Sequence, residues 1–189
     1  MNKRGQLPVI LSGFLVLLAG CGHLVYADGP YGGKVIDRET GQPIEGAAVV
    51  AIWRKETPMI AHPDVTFYDA QETLTDQKGN FTLPGIWGGS LKPLTKIREP
   101  LFTIFKPGYE AYGDRKLAQP AKEGQTVVEL GRLKTREERL KNLSNIHVRI
   151  CIPELPEGLR DVSPYCVPPD NIPNLIRLRK AERINLGLR

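Results

Sequence analysis

The segment Gly33-Lys34-Val35-Ile36-Asp37-Arg38-Glu39-Thr40-Gly41-Gln42-Pro43-Ile44-Glu45-Gly46-Ala47-Ala48-Val49-Val50-Ala51-Ile52-Trp53-Arg54 decides the fold. Its first five residues read as a short strand. Arg38 to Gly46 gathers turn formers, with Gly41-Gln42-Pro43 at the centre. Gly46 to Arg54 is then a second, more deeply buried strand that ends near Trp53. Outward from this pair the texture stays β. A long loop is expected over Lys55–Asp69, marked by Pro58 and Pro63. Gln71 to Thr75 alternates, Asp76-Gln77-Lys78-Gly79 makes a tight hairpin turn, and Asn80 to Leu83 returns. Pro84 to Pro100 reads as irregular, with glycines around Trp87. Leu101 to Lys106 is another strand, turned by Pro107-Gly108-Tyr109, and Gln125 to Leu133 closes the region. Six or seven short strands punctuated by Gly and Pro predict a mainly β protein, a β-sandwich.

After Leu133 the pattern changes to a C-terminal extension with one or two helices. Thr135 followed by Glu138 fits a capping box. Leu133, Leu140, Leu143 and Ile146 or His147 fall on one helical face. His147 to Ile152 alternates, and an extended segment is the alternative to a helix there. Pro153 to Pro169 contains five prolines and is irregular. Asp170 or Asn171 is expected to cap a last helix, with Pro173 in its first turn and Gly187 as its stop.

The N-terminus carries an address. Lys3 and Arg4 precede an apolar run from Leu7 to Ala19, too short for a bilayer span of about 20 residues. It ends in Leu18-Ala19-Gly20-Cys21, which resembles the lipobox of bacterial lipoproteins. The resemblance implies removal of residues 1–20, lipid on Cys21, and a stable membrane anchor through two or more acyl chains. Gly22 rather than Asp implies the outer membrane. An ordinary signal peptide cut after Val25-Tyr26-Ala27 is the alternative. With Cys21 assigned to lipid, two of the three cysteines remain, Cys151 and Cys166. In an oxidising compartment they are expected to pair, closing a loop worth about 3 kcal/mol. Free thiols are the alternative; a zinc site lacks ligands beyond His147.

A second resemblance concerns the fold. Gly33 to Asp37, Thr40 to Ala47 with Val49, Thr75 to Phe81, and Phe105 to Tyr109 resemble the carboxypeptidase regulatory-like domains. This implies a seven-stranded transthyretin-like sandwich over residues 31–133, with 21–30 a tether and 134–189 a helical, proline-rich extension. Such domains serve as accessory modules on peptidases, extensions of outer-membrane receptors, and surface lipoproteins, so the fold does not fix a chemistry.

The chain of 189 residues has a net charge of +5, with a basic C-terminal stretch. That balance is too mild for a nucleic-acid interface and reads as a solvated helix face. No nucleophile-elbow, zinc-protease or phosphate-loop motif occurs, and no cofactor is expected. His62, Asp64 and Asp69 offer a loop for metal or base chemistry, against the plainer reading of a polar loop. Trp53, Tyr68 and Trp87 offer rings for sugar stacking, against the plainer reading of sandwich core and edge. The expected function is a lipid-anchored, non-enzymatic binding or scaffolding module of the cell envelope, presenting its loops to a protein or glycan. The alternative is a metal-dependent or hydrolytic enzyme using His62, Asp64 and Asp69. The anchor is tested by growing cells on radiolabelled palmitate. Label is expected on the native chain and absent from Cys21→Ser; an unlabelled native chain refutes the lipobox.

Overall fold

The computed structural model describes residues 25–60, 62–89, 95–117, 126–151 and 165–188. Cys21 and the segment 1–20 lie outside these residues. The described chain is mainly β. Its strands are β1 (Val25–Asp28), β2 (Tyr31–Asp37), β3 (Ala48–Thr57), β4 (Asp64–Leu74), β5 (Asn80–Leu83), β6 (Ile86–Gly89), β7 (Lys96–Phe105), β8 (Tyr112–Arg115) and β9 (Thr126–Leu130). Two helices follow, α1 (Arg136–Ser144) and α2 (Pro173–Asn185). One sheet has the order β5-β2-β9, a second β4-β3-β7-β8, and β1 pairs with β6 alone. Among the described strands every pairing is antiparallel except β2 with β9.

Strand β3 organises the packing. Ala48 to Trp53 is buried without a break. Successive side chains of a strand point to opposite faces. Ala47, Val49, Ala51 and Trp53 meet Val35, Phe81, Leu83, Val128 and Leu130 of the three-stranded sheet in one core. Ala48, Val50 and Ile52 meet Ile146, Val148, Val167, Ile172, Leu175 and Leu178 of the C-terminal extension in a second. The extension therefore covers the outer face of the four-stranded sheet.

Several sequence expectations change. The residues read as a tether contain β1, because Val25–Asp28 finds β6 as a partner. The expected loop 55–69 is largely the continuation of β3 and β4, which pair as far as Thr57 with Asp64. The stretch 84–100 holds β6 and the start of β7. Local turn residues hid these strands: Gly88 and Gly89 lie within β6, and Pro100 lies where β7 breaks register with β3. A proline has no N–H for the ladder and is tolerated at such a bulge. On the other side β4 also bulges, with Tyr68 as the extra residue between the Trp53–Asp69 and Arg54–Phe67 pairs.

The extension is fastened by polar contacts. Thr135 and Glu138 form the expected capping box of α1. Neither Asp170 nor Asn171 caps α2; they lie in a tight turn before it. The cap comes instead from Glu72 on β4, whose two oxygens accept from Asn174 N and Leu175 N at 2.7 and 2.6 Å. A carboxylate there also meets the positive end of the helix dipole. Buried Glu182 of α2 takes both arms of Arg139 from α1. Asn142, buried on α1, accepts from Ala111 N and donates to Tyr109 O. Cys151 and Cys166 are joined as a disulfide beside the Ile150–Val167 bridge.

Asp37 closes β2 and is 1 % exposed. It accepts from Arg132 Nε, from the Glu39 and Thr40 amides, and from the Tyr109 hydroxyl. The Arg132 hydrogen bond, with the two amides, holds its carboxyl well below the usual carboxylate range. A depressed folded pKa gives stability that is present above the unfolded value of about 4 and lost as pH falls below it. Urea midpoints measured from neutral pH downward are expected to fall steeply below about pH 4. Asp37→Asn is expected to lower the neutral midpoint and flatten that acid limb; an unchanged limb refutes the assignment.

Candidate functional site

The site is built where β6 lies against β4. Gln71 of β4 reads the Gly85 peptide at both ends, donating through Nε2 to Gly85 O and accepting from Gly85 N. Gly85 has φ +85°, and a Cβ there would strike the Asp28 carbonyl. Only glycine lets β1 and β6 pass so closely at this point. Three residues on, a side chain at Gly88 would strike the Tyr68 hydroxyl, so β6 and the β4 bulge are in direct contact. Strand alternation then sends Ile86 into the core and Trp87 outward, where it is 81 % exposed.

An open groove of about 490 Å³ is lined by Trp87 together with Tyr68, Asp69, Gln71, Gly85 and Ile86. Tyr68 is half-buried. Asp69 accepts from Ala70 N through Oδ1. Among the described residues its Oδ2 has no hydrogen-bond partner. The groove thus offers one flat indole, a phenol and a carboxylate edge. That combination suits a ligand with an apolar ring face and hydroxyls around it.

The groove unites Tyr68 and Trp87 of the predicted residues. It excludes Trp53, which is fully buried and donates Nε1 to Asp28 Oδ2 at 2.7 Å. Trp53 also packs tilted against Tyr31, which meets Phe102 edge-on. The indole belongs to the core because β3 is covered on both faces, so it offers no ring to a ligand. His62 is exposed, and Asp64 and Asp69 on β4 stand opposite Thr57 and Trp53, four residues apart on β3 and so about 13 Å at about 3.3 Å per residue. The extended strand thus separates the carboxylates that the loop reading had placed together. Among the described residues no three His, Cys, Asp or Glu side chains are gathered for a metal ion.

Sequence reasoning missed Gln71 and Asp28. Gln71 carries no local signal, since its partner comes from another strand. Asp28 was read into the tether. Its carboxylate accepts from Tyr31 OH at 2.6 Å as well as from Trp53. Burial, reinforced by this carboxylate, pushes the Tyr26 and Tyr31 phenols upward.

A second cleft, about 390 Å³, has a floor of Ile52, Val65 and Leu101 and a rim of Arg54, Arg98, Glu99 and Lys116. The rim cations are paired with Asp114, Glu56 and Glu99 respectively, so it makes no unmet charge demand.

Comparison of the chain with family models, curated proteins and solved structures finds no match.

Asp28 ties the strand beside the groove to the core, and Asp28→Ala measures that tie. Alanine offers no acceptor, so the buried Trp53 Nε1–H, which can only donate, is left unpaired. A loss of about 1–3 kcal/mol is expected in urea unfolding, from one unsatisfied buried group. An unchanged midpoint contradicts it.

Proposed function

We propose that this protein is a lipid-anchored, non-enzymatic binding module of the cell envelope, and that the Trp87 groove takes a glycan. The observation that carries the reading is the exposure of Trp87 in a groove that it lines together with Tyr68 and Asp69. A large apolar ring left in solvent in this way marks an interaction site when polar groups converge beside it. Sugars present C–H faces for stacking and hydroxyls for a carboxylate and a phenol, so the groove matches their chemistry. A fold built from facing three- and four-stranded sheets supports the transthyretin-like, carboxypeptidase regulatory-like reading. On that reading the β1–β6 pair is an addition to the sandwich, and it is the addition that brings Trp87 to β4. The anchor at Cys21 and the exported location rest on the lipobox resemblance. The pairing of Cys151 with Cys166 agrees with an oxidising compartment.

Retention on insoluble polysaccharides, peptidoglycan among them, tests the reading. The native chain is expected to be retained, and Trp87→Ala to be retained at least about tenfold less, as expected for loss of an aromatic anchor. The two tryptophans offer a second readout. Trp53 is buried, so acrylamide quenching reports Trp87 and is expected to fall when a soluble oligosaccharide fills the groove. A chain retained on no polysaccharide, with quenching unchanged by oligosaccharides, overturns the glycan reading.

A further inference from the structure

The turn between β3 and β4 carries Met59 and Ile60, 64 % exposed and fully exposed respectively. Hairpin turns are ordinarily built from small and polar residues, and this one is Pro58-Met59-Ile60 followed by His62-Pro63. Two adjacent large apolar side chains at the tip of a long hairpin have no role in either core.

Their position relative to the N-terminus gives them one. Gly85 is held at Gln71 and Gly88 lies at Tyr68, so β6 climbs along β4 toward the tip. β1 runs antiparallel to β6, with Val25 opposite Gly89 and Asp28 opposite Ile86. The chain therefore comes into β1 at the tip end of the molecule. From Cys21 to Val25 is four residues, about 14 Å fully stretched. The α2 helix lies on the other half of the sheet, where Glu72 caps it. Of the cations on the strands nearest the tip, Arg54 and Arg98 are paired with Asp114 and Glu56, which leaves Lys55 and Lys96 against Asp64. Basic residues behind an apolar tip suit a lipid surface with anionic headgroups.

We propose that the β3–β4 hairpin tip is a second membrane contact, with Met59 and Ile60 seated in the lipid interface beside the anchored N-terminus. The proposal rests on the anchor reading given above. It adds an orientation: a chain held at one point swivels, and a chain held at two presents one side. With the tip down, the Trp87 groove opens sideways, along the membrane, rather than away from it.

The test uses the lipidated protein in vesicles of phosphatidylethanolamine with a minor share of phosphatidylglycerol. A polarity-sensitive fluorophore is placed on Met59→Cys, and on Lys78→Cys in the β4–β5 turn at the opposite end. Ile60→Cys serves as a second tip probe. Blue-shifted emission and at least about threefold less iodide quenching are expected at 59 and 60, and neither at 78, as for side chains buried in the headgroup layer. Protein that floats with the vesicles while the tip probes report water overturns the tip contact and leaves the anchor standing. Equal shifts at both ends also overturn it, since the contact is then not specific to the tip. Protein that fails to float overturns the anchor reading and the tip contact with it.

Discussion

The structure depends on the double-sided burial of β3. A strand with one apolar face needs one covering layer, and the three-stranded sheet supplies it. Val50 and Ile52 point the other way and need another. Burying them contributes on the order of 1.5–3 kcal/mol each, which is lost if the outer face is bare. The C-terminal extension is therefore part of the fold rather than an appendage. Its apolar residues complete the sheet, and its polar fastenings, Glu72, Asn142 and the Arg139–Glu182 pair, fix where it lies.

The same strand sets the geometry of the candidate site. Because Trp53 must be buried, its N–H needs an acceptor inside the protein, and Asp28 provides it. That bond draws the N-terminal strand onto the body, and β1 in turn gives β6 a partner. Both neighbouring strands, β4 and β7, bulge opposite Trp53, and the β4 bulge residue Tyr68 lies against Gly88 of β6. The exposed indole of Trp87 is thus linked to the buried indole of Trp53 through Asp28 and two strands.

Much of the body was legible in the sequence because its signals are local. The strands around Val35 and Val49, the turn at Gly79, the capping box at Thr135 and the stop at Gly187 each sit in a few consecutive residues. What escaped depends on distant partners. Val25–Asp28 has no strong strand pattern and becomes a strand only beside Ile86–Gly89. The α2 cap was sought among its neighbours and came from Glu72, about a hundred residues earlier. Tyr68 and Trp87 were visible as aromatics, but only tertiary contact separates them from Trp53. His62, Asp64 and Asp69 look clustered on a loop reading, whereas Asp64 and Asp69 lie along the extended β4.

The parallel pairing of β2 with β9 bears on how the chain reaches this state. Lys34 stands beside Val127, so the two strands are about ninety residues apart in sequence. The first core cannot close until β9 has left the ribosome, and the second must wait for Leu175 and Leu178. Loop closure over such distances is slow. A nascent chain of this topology completes neither core until late in its synthesis. That is the condition in which a polypeptide can be threaded through a narrow pore, and it follows from strand order alone.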